Sequence, residues 1–134
     1  MSDRSELIEL HNRLSKTLDE ERGAAREKRY EKGYRTAREN LDDLVDKDSF
    51  VEYGQLAIAA QKSRRELEEL RTETAADGII TGFGKINSEI LDGKKALSAI
   101  IINDYSVLAG TQGYYHHKKL DRICETAEKQ NLPV

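Results

Sequence analysis

The residues of this chain whose types and spacing could do chemistry gather around one junction. Ala109-Gly110-Thr111-Gln112-Gly113 is followed closely by His116, His117, Lys118 and Lys119. Glycines let the backbone approach a bound group, and unpaired amides at the start of a helix attract anions. The four basic side chains would add positive charge in the first helical turns, so a phosphate-bearing ligand such as coenzyme A would suit this end. The plainer alternative is a tight turn that merely needs glycine, with basic residues on a solvated face, because one Gly-x-x-Gly is a weak motif. His116 and His117 are adjacent on the helix and diverge by roughly 100 degrees, so they cannot chelate one ion together. Cys124, on the apolar side of that helix, reads as a small buried hydrophobe. It is the only cysteine, which excludes an internal disulfide and a cysteine-based zinc cluster. No nucleophile stands beside a base, no carboxylate pair suggests acid/base work, and the Tyr and Phe residues form no stacking platform for bases.

The elements that must position this junction can be read outward from it. A helix is expected from about Tyr114 to Lys129, with Leu120, Ile123, Cys124 and Ala127 at helical spacing. A strand through Tyr105–Leu108 should lead into the loop, preceded by the almost wholly apolar strand Ala96–Ile102, which should be buried on both faces. Gly78–Ile86 reads as a further strand, where Gly82 and Gly84 mark a bulge or a close backbone approach, and Asp92-Gly93 is a turn signal. Leu132-Pro133-Val134 opens an extended segment, so strand, Gly-rich turn, helix and new strand form a βαβ unit whose parallel sheet is expected to be unfinished. Upstream, Leu7, Leu10, Leu14 and Leu18 make one apolar helical stripe with Ser5 as N-cap, and Asp19–Lys32 is nearly all charge, read as a solvated face. Thr36-Ala37-Arg38-Glu39 fits a capping box opening a helix that carries Leu41, Leu44 and Val45. Ser49–Tyr53 reads as a short strand, and Ser63-Arg64-Arg65-Glu66 repeats the box ahead of Leu67 and Leu70.

Composition narrows the class. At 134 residues the chain suits one domain. Its 37% hydrophobic content lies below the usual ~45–50%, and its 35% charged content above the usual ~25%. Such a chain either keeps much of itself out of a core or belongs to something larger. A net charge of −3 provides no global basic field for nucleic acid. No apolar run nears a membrane span and the polar start shows no signal peptide, so a reduced, soluble, cytoplasmic protein is expected. The division expected is a charged helical arm over 1–48, then the incomplete start of a domain over 49–134.

Three runs taken together resemble the biotin-dependent acyl-CoA carboxyltransferases. The first is Lys32-Gly33-x-x-Thr36-Ala37-Arg38-Glu39 with Leu41-x-x-Leu44-x-Asp46-x-x-Ser49-Phe50-Val51-Glu52. The second is Ala76-Asp77-Gly78-Ile79-Ile80-Thr81-Gly82-x-Gly84-x-Ile86. The third runs from Asn103 to Gly113, followed by Lys118 and Leu132-Pro133-Val134. Ala59-Ala60-Gln61-x-Ser63-Arg64-Arg65 is most similar to the single-chain, multidomain acyl-CoA carboxylases. The resemblance implies an α/β (α+β), crotonase-like fold of ββα units behind an N-terminal helical arm. It also implies transfer of a carboxyl group from carboxybiotin to the α-carbon of an acyl-CoA, with enolates held by backbone amides. On the family's pattern, Ala109, Gly110, Thr111, Gly113 and Lys118 are the CoA-side residues, with Ala109 replacing the usual glycine. The implied cofactor is biotin on a carrier outside this chain. The implied partners are acyl-CoA, the biotin carboxyl carrier and biotin carboxylase components, and further copies in a homo-oligomer, with neither nucleic acid nor membrane. The family's second oxyanion-hole glycine pair would follow Val134, so this piece is expected to be inactive alone. Two other readings stay open: an assembly module docking through its N-terminal helix, and a crotonase-like CoA-binding protein.

Overall fold

The computed structural model describes residues 2–134. Its centre is a three-stranded sheet in the order β1 (Val51–Tyr53), β2 (Ile79–Lys85), β3 (Leu97–Asn103), antiparallel throughout. The register sets Tyr53 opposite Thr81 and Ile79 opposite Asn103. Because strand side chains alternate, one face carries Ile80, Ile100 and Ile102 and the other Phe83, Ala99 and Ile101. The first face packs on α3 (Ala37–Leu44) through Ala37 and Leu41, the second on α6 (Tyr114–Gln130) through Ile123 and Ala127. Both faces of β3 are therefore covered, and each large aliphatic side chain buried here contributes about 1.5–3 kcal/mol. Gly82 is present because the backbone needs it: a Cβ there would stand 2.1 Å from the Val51 carbonyl oxygen and 2.7 Å from the Phe50 ring.

Local signals set several boundaries. Thr36 Oγ1 accepts from the Glu39 amide at 3.1 Å and Glu39 accepts from the Thr36 amide at 2.7 Å, the reciprocal pair of the expected capping box. Asn131, in the left-handed region, ends α6, and the Leu132 amide donates to Ala127 at 2.9 Å. Pro133 then accepts from the Ala99 amide at 2.8 Å, laying the last residues beside β3.

Elsewhere the expectations need correction. Residues 105–108 are not a strand: the Asp104 carboxylate accepts from the Ser106 amide and hydroxyl at 2.9 and 2.5 Å, closing a turn. The strand leading to the junction is β3, antiparallel to its partner β2, while the segment expected to follow the helix in a βαβ unit, 132–134, meets β3 at Ala99. Ser63 caps nothing, because Gln61 accepts from Arg64 and Arg65 in a turn and α4 (Leu67–Glu73) starts later, after Glu66. Asp92 instead caps α5 (Gly93–Ala96), a single turn. The first helix, α1 (Ser2–Ser15), contains Ser5 and ends before Leu18, and Leu7, Ile8 and Leu10 are exposed. After a 3-10 turn at Asp19–Glu21 comes α2 (Gly23–Glu31). This N-terminal part touches the body through Lys16–Glu68 at 3.0 Å, Gln55–Thr17 at 2.7 Å and Arg22–Asp104 at 2.9 Å.

Candidate functional site

Between α2 and the segment after β3 lies a cleft of about 370 Å³. One wall is the start of α2, Gly23, Ala24 and Ala25, together with Lys28, Arg29 and Lys32; Tyr105, Ser106 and Ala109 form the other. The first turn of α2 has no acidic residue and no side-chain cap, so its amides keep their partial positive charge beside those cations. Glu21 and Glu73 are the acidic residues of the lining. The Arg29 guanidinium lies 4.8 Å from the Tyr34 ring centre and 5.8 Å from that of Tyr105. Arg22 also lines the cleft and is buried; it donates to Asp104 at 2.9 Å and to the Ser106 hydroxyl at 3.2 Å, while its Nε has no partner among the described residues. This arrangement suits a polyanion with a flat aromatic part, and it offers no nucleophile with a base.

The residues singled out from the sequence fall in two places. Ala109 lines the basic cleft. Gly110, at φ +79, has no room for a Cβ, which would meet the Tyr105 ring at 2.7 Å. Thr111 is exposed, and its hydroxyl donates to Leu108 at 2.9 Å. Gly113 precedes α6, and a Cβ there would stand 3.2 Å from both Asp77 carboxylate oxygens. Lys118 is exposed, with Nζ 5.2 Å from the Tyr114 ring centre, and it lines a different pocket of about 200 Å³ with Tyr53, Thr81 and Arg122.

The structure differs from the sequence reading at three points along α6. The anion at the start of α6 belongs to the chain itself: buried Asp77 accepts from the His116 amide at 2.9 Å. The basic run is also not one exposed cluster. The helical period turns His116, Lys119, Ile123 and Ala127 inward, while His117 and Lys118 face solvent. By the same period Cys124 is exposed, not buried.

What the sequence reading missed is the role of Lys119, which it grouped with the exposed basic residues. Its ammonium donates to the carbonyls of Ala76, at 2.8 Å, and Ile79. Burial pushes its pKa from 10.5 down to about 8, opposed by the charges of Glu52 and Asp77 and assisted by that of Arg38. The segment it holds, Ala76-Asp77-Gly78, is left-handed at three successive residues, and His116 Nδ1 also meets the Asp77 carbonyl at 3.1 Å. The available signal was the spacing of 116, 119, 123 and 127, which gives Lys119 and not Lys118 the inner face.

Residues 28–134 match the family model described as the carboxyl transferase domain. The chain is 36% identical over 129 residues to the biotin-dependent acetyl-/propionyl-coenzyme A carboxylase beta5 subunit of Mycobacterium leprae, covering 96% of this chain and 22% of that protein. It superposes on the structure of a single-chain, multi-domain long-chain acyl-CoA carboxylase with a TM-score of 0.94 at 49% identity, covering 96% of this chain and 13% of that one. Against the transcarboxylase 12S structure with methylmalonyl-coenzyme A bound, the TM-score is 0.65 at 27% identity, covering 95% of this chain and 22% of that one. The chain thus spans about a fifth of the length of such curated relatives.

Proposed function

This chain belongs to the carboxyl transferase domain family, and on that premise we propose that it is the CoA-side, N-terminal region of a biotin-dependent acyl-CoA carboxyltransferase. In the whole enzyme a carboxyl group passes from carboxybiotin to the α-carbon of an acyl-CoA. The observation that supports this reading is the cleft where Ala109 faces Arg22, Lys28, Arg29 and Lys32. CoA carries its negative charge on a 3′-phosphate and a diphosphate, and its adenine is flat. Lys28, Lys32 and the α2 amides would take phosphate oxygens, and the Tyr105 ring would flank the base. Gly110, Thr111, Gly113 and Lys118 stay with this reading as candidates that the resemblance carries. Residues 1–48 serve in it as an arm, and residues 49–134 as the beginning of the carboxyltransferase domain.

Nothing among the described residues fits a resident biotin: no lysine lies in an Ala-Met-Lys-Met setting, and the single methionine is Met1. On this reading, as the biotin-dependent name of the relatives suggests, biotin enters on a carrier component, with biotin carboxylase as a further partner and copies of the chain's full-length form as an oligomer. A cytoplasmic place in fatty-acid metabolism belongs to the same proposal. No helix is long and apolar enough to cross a membrane among the described residues.

Calorimetric titration with CoA and with dephospho-CoA tests the reading. Lys28→Glu with Lys32→Glu should weaken CoA binding by roughly tenfold or more, and dephospho-CoA should bind more weakly than CoA to the wild type. Unchanged affinity in Lys118→Ala would remove Lys118 from the site. Absence of CoA binding, combined with concentration-dependent self-association through the exposed α1 side chains Leu7, Ile8 and Leu10, would favour the assembly-module reading instead.

A further inference from the structure

We propose that Lys119 is a positioning residue for the basic cleft: by tying α6 to the left-handed Ala76–Gly78 turn, it fixes the seat of Arg22. This rests on the reading of the cleft as the CoA site.

The connection runs through named contacts. Lys119 Nζ holds the carbonyls on either side of the turn, those of Ala76 and Ile79. The Gly78 carbonyl accepts from the Asp104 amide at 2.8 Å, and Val107 packs so close to Gly78 that a Cβ there would lie 3.3 Å away. The Asp104 carboxylate then closes the turn onto Ser106 with one oxygen and receives Arg22 with the other. Ser106 Oγ donates to Asp104 and accepts from Arg22, so the guanidinium is held at two points. A shift of the turn would move Asp104, and with it the buried cation of the cleft.

The socket for Lys119 is built for that side chain. Gly54, at φ +73, leaves room where a Cβ would stand 3.0–3.1 Å from the Lys119 Cγ, Cδ and Cε. A methionine could fill the same stem space but would leave two carbonyls without their donor. The charged groups facing the ammonium are Glu52 of β1, Arg38 of α3 and Asp77 of the turn; His116, from the same helix, grips the turn beside it. Ala76 and Asp77 pay the left-handed penalty that glycine escapes, so the turn needs an outside hold. Charge-assisted bonds from an ammonium are stronger than those of a neutral amine, so loss of the proton weakens that hold. The low pKa puts this loss just above neutrality.

The test compares wild type, Lys119→Met and Lys119→Arg at pH 7 and pH 9. Two measurements are made: CoA titration calorimetry, and hydrogen-exchange protection of the Asp104 and Ser106 amides corrected for intrinsic rates. Wild type should lose roughly tenfold in CoA affinity and lose protection on going to pH 9. Lys119→Met should be weak and poorly protected at both pH values, whereas Lys119→Arg should be tight at both, because arginine stays charged. Protection of the Asp104 and Ser106 amides in Lys119→Met equal to that of wild type at pH 7 overturns the proposal, whatever the affinities. If wild type binds no CoA at either pH, the reading of the cleft fails, while the protection data still decide the role of Lys119.

Discussion

Arg38 and Glu52 form the joint between α3 and β1, and its rupture can be predicted in magnitude. The two guanidinium nitrogens of Arg38 meet the two carboxylate oxygens of Glu52 at 2.5 and 3.0 Å, with only 14% and 8% of the side chains exposed. Arg38→Ala leaves a buried carboxylate without its partner, which costs about 3–5 kcal/mol. Against a whole-domain stability of about 5–15 kcal/mol, that is a large fraction. Replacing both partners, as Arg38→Met with Glu52→Leu, removes the charge with its counter-charge and should cost less than the single change does. The control is Arg35–Asp43, a 3.2 Å pair whose side chains are 54% and 70% exposed. Arg35→Ala should move stability by at most about 1 kcal/mol. Urea unfolding followed by far-UV circular dichroism measures all four proteins; with a slope of ~2 kcal/mol/M, Arg38→Ala should lower the midpoint by about 1.5–2.5 M. A loss below about 1 kcal/mol, or a double variant less stable than Arg38→Ala, would refute the argument.

Two further predictions concern the arm and α6. Thr36→Ala removes the N-cap of α3 and the 2.5 Å bond to Asp19, and should cost about 1 kcal/mol or somewhat more in urea unfolding. For Lys119, the folded pKa of about 8 lies below the unfolded 10.5, so the unfolded chain binds the extra proton between those values and stability rises with pH across that window. The full rise is roughly 3 kcal/mol, absent in Lys119→Met, and unfolding curves measured from pH 7.5 to 9.5 would detect its first part. The same deprotonation therefore strengthens the fold while weakening the hold on the turn, opposite trends that a general alkaline loosening would not produce.

What could be read from the sequence depended on how far each signal reached along the chain. The Thr36–Glu39 box is complete within four residues, and it formed as expected. The glycine at position 82 announced a close approach, though not that Val51 and Phe50 make it. Residues 105–108 misled because their β-branched and aromatic character points to a strand, while one carboxylate, Asp104, bends the backbone by bonding two residues ahead. Cys124 was assigned the wrong side by one helical step, an error of roughly 100 degrees that only the neighbouring Ile123 exposes. Arg22 was hidden in a run of charge that reads as solvated, because its partners Asp104 and Ser106 lie 82 and 84 residues away.

That last separation bears on the assembly of the molecule. Closing a loop between Arg22 and Asp104 in a free chain costs entropy that grows as the logarithm of its length, about 4 kcal/mol before the constant term. The β2–β3 pairing is far more local, and once it forms it shortens the effective loop that the arm must close. Docking the arm onto a sheet already paired is therefore entropically cheaper than docking it first, and the basic cleft exists only where the two meet.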